Sequence, residues 1–81
     1  MPLYHFNLHD GHSYRDQQGT ELPGLDAART EAVRFAGQMF KDNPATVLSD
    51  EDWSMDVTDA AGLILFRLMF VIHSAPACIR L

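Results

Sequence analysis

The chain has 81 residues, 47% hydrophobic and 21% charged, with six basic against eleven acidic side chains and a net charge of −5. That composition excludes disorder and low complexity, its negative balance repels a phosphate backbone and so disfavours nucleic-acid binding, and its length leaves room for one core, hence a single domain over 1–81. The lone cysteine, Cys78, cannot close an intramolecular disulfide, and no charged start followed by an apolar stretch marks a signal peptide; the apolar run from Leu63 to Ile72, interrupted by Arg67, falls far short of the ~20 residues of a membrane helix, so a cytoplasmic protein without a membrane span is expected.

In the first segment, Tyr4, Phe6 and Leu8 alternate with His5, Asn7 and His9, which predicts a half-buried strand over 3–9. Asp10-Gly11 ends it, because Asp bonds its own backbone and Gly accepts a positive φ. Between Ser13 and Leu22, the Asp16-Gln17-Gln18-Gly19 run fits a type I turn with Gly in the left-handed position, and the flanking residues predict a minor hairpin near 13–22. From Leu25 to Lys41 the period changes to three and four: Leu25, Ala28, Ala32, Phe35, Ala36 and Met39 make one apolar stripe, predicting an amphipathic helix with Arg29, Glu31 and Arg34 toward solvent. Pro23-Gly24 starts this helix and Asn43-Pro44 stops it. Gly24 supplies no side chain for a cap, and Gly37 costs ~1 kcal/mol against Ala in a helix interior, for which a close approach to the sheet is the expected compensation.

Residues 43–52 read as a connecting loop with an acidic tip at Asp50-Glu51-Asp52. Then Trp53, Met55 and Val57 alternate with Ser54, Asp56 and Thr58, and Asp59-Ala60-Ala61-Gly62 turns the chain into a last strand over 63–72. With Ala60 and Ala61 as the loop, Val57 faces Ile64, Met55 faces Phe66, Trp53 faces Leu68, and Arg67 lies outward near Asp56; a bulge at Gly62 would shift that register. Leu63, Leu65, Met69 and Val71 then occupy the opposite face, where one helix cannot cover them, and become interface candidates. The tail 74–81 carries Pro76, Cys78 and Ile79 without periodicity and is left of uncertain order.

The succession Tyr4-His5-Phe6-Asn7-Leu8-His9-Asp10-Gly11, Asp16, Gly19, Glu21-Leu22, Ala28-Arg29-Thr30-Glu31-Ala32, Val57, Asp59 and Gly62 resembles a family of short, mostly alphaproteobacterial proteins known as a domain of unknown function. The resemblance spans roughly residues 3–72 and implies no activity. A looser, fold-level likeness over Phe6 to Ala36 is to HicB-type antitoxins, with a strand, an acidic glycine-containing turn and a helix in the same order. It implies an alternative role, neutralising a small basic toxin; such antitoxins usually add a DNA-binding segment, and no basic recognition helix is present here.

His5, His9, Asp10 and His12 crowd into eight residues and invite a metal reading. On an extended strand, however, His5 and His9 stand about 13 Å apart at ~3.3 Å per residue. Around the turn only His9, Asp10 and His12 can converge, with His73 or Cys78 as a fourth ligand from the tail; turn stabilisation is the commoner use of such residues, and no cofactor is expected. Ser13, Ser49, Ser54 and Ser74 lack a nucleophile elbow, and no glycine-rich phosphate loop is present.

These readings combine into an α+β fold of two layers in β-β-α-β-β order. An antiparallel sheet of three main strands plus a minor hairpin packs on one helix, with a core of Tyr4, Phe6, Leu8, Ala28, Ala32, Phe35, Met39, Trp53, Met55, Val57, Ile64, Phe66 and Leu68. A non-catalytic binding or regulatory module is expected, acting as a homodimer or on another protein; a metal-sensing or enzymatic use of His9, Asp10 and His12 ranks third.

Overall fold

The computed structural model describes residues 1–45, 52–72 and 75. The expected acidic tip, apart from Asp52, and the tail, apart from Ala75, lie outside the described residues, as do His73 and Cys78. The elements are β1 (Leu3–His9), β2 (Ser13–Tyr14), β3 (Thr20–Glu21), α1 (Leu25–Asp42), β4 (Trp53–Thr58) and β5 (Ile64–Phe70). Among the described residues they form the expected α+β arrangement, a five-stranded antiparallel sheet under the helix α1, with β4 between β1 and β5.

β1 carries β4 on one side and both short strands on the other, β2 at Leu8 and His9, β3 at Leu3 and Tyr4. The segment expected as its own hairpin therefore does not pair with itself. Its turn forms as expected, with Gly19 at φ 74 and its N–H donated to Asp16 Oδ1 at 3.0 Å. Asp16 also accepts the Phe6 N–H at 3.1 Å, and its own N–H donates to Asn7 Oδ1 at 2.9 Å. These bonds lay the loop along β1, where backbone donors are waiting, which defeats pairing of two dipeptides across a turn. Gly19 is required there twice over: a Cβ would stand 3.0 Å from Leu3 Cγ, and φ is in the left-handed region.

The β4–β5 hairpin keeps the expected parity over most of its length, but in a shifted register. Val57 faces Phe66, Met55 faces Leu68 and Trp53 faces Phe70. The Asp59 side chain accepts the Ala61 and Leu63 N–H groups at 2.9 and 3.0 Å, and Gly62 sits at φ 89. The register slips between Val57 and Thr58, leaving Leu65 as the extra residue of a bulge. Beyond that bulge Ile64 stands opposite Thr58 and is 51% exposed, so it leaves the expected core, and Phe70 takes a place on the inner face.

Tyr4, Phe6, Trp53, Met55, Val57 and the helix alanines 28, 32 and 36 form the buried core, with Leu8, Leu22, Met39, Phe40, Phe66 and Leu68 packed around it. Full burial of side chains as large as Trp53, Met55 and Val57 stabilises by roughly 1.5–3 kcal/mol each. The helix sets its alanine ridge on the sheet and comes closest to β4. Phe35, about 100° around the helix from Ala36, is displaced to the flank at 39% exposure, where it meets Phe6 edge-on at 5.1 Å. It is a rim residue, not the core residue the stripe suggested. Arg29, expected in solvent, is exposed yet lies 5.9 Å over the Phe66 ring, a cation–π contact.

Candidate functional site

The face of the sheet turned away from the helix is polar where β1 and β4 contribute His5, Asn7, His9, Ser54, Asp56 and Thr58. At its centre Asp56, only 7% exposed, receives both Nε and Nη2 of Arg67 across the β4–β5 pair, while His9 Nε2 stands 3.2 Å from Asp56 Oδ2. Arg67 thus occupies the expected place beside Asp56. Its guanidinium is the main reason that the Asp56 carboxyl is held below the usual carboxylate range, against a desolvation effect of opposite sign; Arg67 is raised in return.

His9 Nδ1 is 3.1 Å from Ser13 Oγ, so a hydroxyl, an imidazole and a carboxylate follow one another from Ser13 to His9 to Asp56. Sequence spacing gave no hint of this series, because Asp56 comes from a distant strand. Arg67 already engages the carboxylate that would have to support an imidazolium. Ser13 is exposed on a two-residue strand and takes no part in lining the three grooves described below. The series ties β2 to the sheet. Asp10 Oδ1 accepts the His12 N–H at 3.3 Å and the His12 ring leans on Tyr14, so His9, Asp10 and His12 are each occupied in the turn or its surroundings. Among the described residues, no group of three or more His, Cys, Asp or Glu side chains is placed to hold a metal ion.

Among the described residues, grooves of three kinds flank these elements. One of about 270 Å³ opens beside the Asp59 turn and is lined by His5, Asn7, Arg15 and Thr58. Another, about 350 Å³, lies between the helix and the arm formed by β2 and β3, floored by Phe6, Leu8 and Met55 and rimmed by Asp16, Gln18 and Gln38. The third, about 230 Å³, separates the helix from β5; it is lined by Val33, Gly37, Phe40, Trp53, Leu68 and Phe70 and is almost wholly apolar. Trp53 Nε1 is buried there and has no hydrogen-bond partner among the described residues.

The third groove adjoins an exposed apolar stretch of the described residues. Among the described residues β5 is the end strand of the sheet, and six of its seven residues are apolar. The interface candidates are all exposed, from Leu65 at 36% to Leu63 at 64%, and Ile64, Phe70 and Ile72 extend the patch. Which peptides face outward follows from the far side of the sheet. The Phe6 N–H points to Asp16, away from β4, so Phe6 and Val57 form a non-hydrogen-bonded pair and Val57 directs its peptide groups to β5. Alternation then turns the peptides of Phe66, Leu68 and Phe70 toward β4, and those of Arg67 and Met69 toward the open edge.

Residues 3–71 match the family described as a domain of unknown function, DUF6894, and the chain belongs to that family. No curated protein matches. No solved structure matches either, so neither comparison adds to the likeness with HicB-type antitoxins. No helix among the described residues is long and apolar enough to cross a membrane.

Proposed function

We propose that this member of the DUF6894 family is a small non-catalytic binding module of the cytosol that works through protein–protein contact at the open edge of β5, and that it pairs there with a second copy of itself. One observation carries the reading: a strand of six apolar residues in seven turns the peptides of Arg67 and Met69 outward, beside an apolar groove. Long apolar edges are templates for pairing with another chain, and proteins that stay apart blunt them with charge, proline or a covering loop. Here the one charged residue of β5, Arg67, is turned to Asp56. A domain of this size also has little stability of its own, roughly 0.05–0.15 kcal/mol per residue, and a shared core supplements it.

The net charge of −5 supports a protein partner over a nucleic acid. An antitoxin would dock on the same edge, and capture of a small basic chain in place of a second copy is the outcome that favours that reading. The test is Met69→Pro. Proline removes an outward N–H and leaves the hydrogen bonds to β4 in place. Light scattering on the purified chain at tens of micromolar is expected to give twice the chain mass for wild type and the single mass for the variant, with an unchanged circular dichroism spectrum. A wild-type chain that stays single at that concentration overturns the self-pairing.

A further inference from the structure

Resting on that reading, we infer that the two copies pair β5 with β5 antiparallel about a two-fold axis through Leu68, so that the sheets merge into one and both helices lie on the same face. A two-fold axis perpendicular to an antiparallel pair passes between a residue and its own copy, so the choice reduces to which residue faces itself. An axis at Arg67 sets two guanidinium groups directly opposite, which is destabilising. An axis at Phe66 runs the new ladder through the bulge at Leu65, and one at Met69 keeps only Leu68 to Phe70 within the strand. An axis at Leu68 retains the regular ladder from Phe66 to Phe70, clear of the bulge.

That register agrees with the peptide directions already derived. Arg67 and the partner's Met69 both turn their peptides outward and exchange two hydrogen bonds, and symmetry repeats the exchange. On the inner face Phe66 meets the partner's Phe70, an aromatic pair on each side of the central leucines. On the outer face the stem of Arg67 lies along the partner's Met69, with its guanidinium kept on Asp56.

The space between the helices fits as well. The helix lies nearest β4, and β4 and its copy are three strand spacings apart, about 14 Å. A helix with its side chains is about 10–12 Å across, so the two helices leave a gap of only a few ångströms above the paired β5 strands, filled from both sides by Val33 and Phe40. Gly37 faces this gap: a Cβ there meets nothing within 4 Å in the single chain. The helix runs in the same direction as β5, since Arg29 lies over Phe66 and Phe40 packs against Phe70 as a tilted ring pair at 4.7 Å. The two-fold axis therefore sets the helices antiparallel and brings each Arg29 toward the C-terminal turn of the other helix, the negative end of its dipole, where Lys41 and Asp42 stand side by side.

Charge placed at Met69 tests the register, because this side chain is 62% exposed and can change without disturbing the core. Met69→Glu sets a carboxylate against the partner's Arg67 on both sides of the axis, and sedimentation equilibrium on the full chain is expected to show dimerisation retained or tightened. Met69→Lys sets like charges opposite at the same two places, and its Kd is expected to exceed that of the Glu variant by about tenfold or more. If both variants dissociate alike, Met69 faces itself; if neither changes the Kd, Met69 lies outside the ladder. Either result overturns the Leu68 axis while leaving self-pairing intact. A wild-type chain that sediments as a single copy overturns both.

Discussion

The two edges of the sheet are treated in opposite ways. Along β1, the chain between Asp10 and Gly24 folds back to cover the strand: β2 pairs at one end, β3 at the other, and the Asp16 carboxylate takes the Phe6 N–H in the gap between them. Along β5 nothing comparable is found among the described residues, and the strand ends the sheet with its apolar side chains half out of the core. The groove on the β1 side of the helix is rimmed by Asp16, Gln18 and Gln38, whereas that on the β5 side is almost wholly apolar. Among the described residues, then, one edge is covered by a polar loop and the other is left oily. That asymmetry is the physical basis for placing the interaction surface at β5.

The largest effect is expected from opening the closed edge. Asp16→Ala removes the acceptor of two backbone N–H groups, those of Phe6 and Gly19, and is expected to destabilise by about 2–3 kcal/mol in urea unfolding. Because it exposes a second pairing edge, light scattering should also show species larger than the dimer. Wild-type stability and size in this variant would break the comparison, since β1 would then need no cover.

A smaller effect comes from loosening the open edge at its polar tie. Asp56 has a folded pKa below its unfolded value, so its contribution is complete above the ordinary carboxylate range and is lost as pH falls through the lowered folded value. Arg67→Met removes the main cause of that lowering. The variant is expected to be less stable than wild type near neutral pH, with the difference shrinking as the solution is acidified below the carboxylate range. Chemical denaturation at a series of pH values checks it, and a difference that is independent of pH contradicts the assignment.

The smallest effect sharpens the comparison within the helix. Gly37→Ala adds a methyl group to open space in the single chain and improves helix propensity, so it should stabilise the dissociated form by about 0.5–1 kcal/mol. If a partner helix approaches there, the same change weakens dimerisation. Denaturation at low concentration and sedimentation at high concentration read the two effects separately.

Much of this architecture was legible because it rests on local rules. Alternation over 3–9 and 53–58, the alanine stripe of the helix and the Asp59-to-Gly62 turn each report a periodicity or a backbone need that neighbouring residues settle between them. The register of β5 was less so: a one-residue bulge at Leu65 exchanges Ile64 for Phe70 on the inner face, and both are apolar, so hydrophobic pattern alone does not separate the alternatives. The expected minor hairpin gives way to pairing with β1 for a similar reason. Asp16 looked like a turn residue and is one, but its second carboxylate oxygen reaches a β1 donor that becomes available only once the strands are assembled. The series from Ser13 through His9 and Asp56 to Arg67 was illegible for the same cause, since its members come from four strands.

Sequence by itself determined which segments are strand and helix, that alternate residues of β1 and β4 turn inward, that Arg67 lies beside Asp56, and that the last strand carries more oil than one helix can cover. These follow from side-chain period and composition, which are properties of neighbours along the chain. Tertiary structure alone decided that the arm covers β1 and not itself, that Ile64 leaves the core, and that the peptides of Arg67 and Met69 face outward. Those depend on which backbone donors and acceptors remain once distant strands have met, a count that is settled only when the sheet has closed on β4.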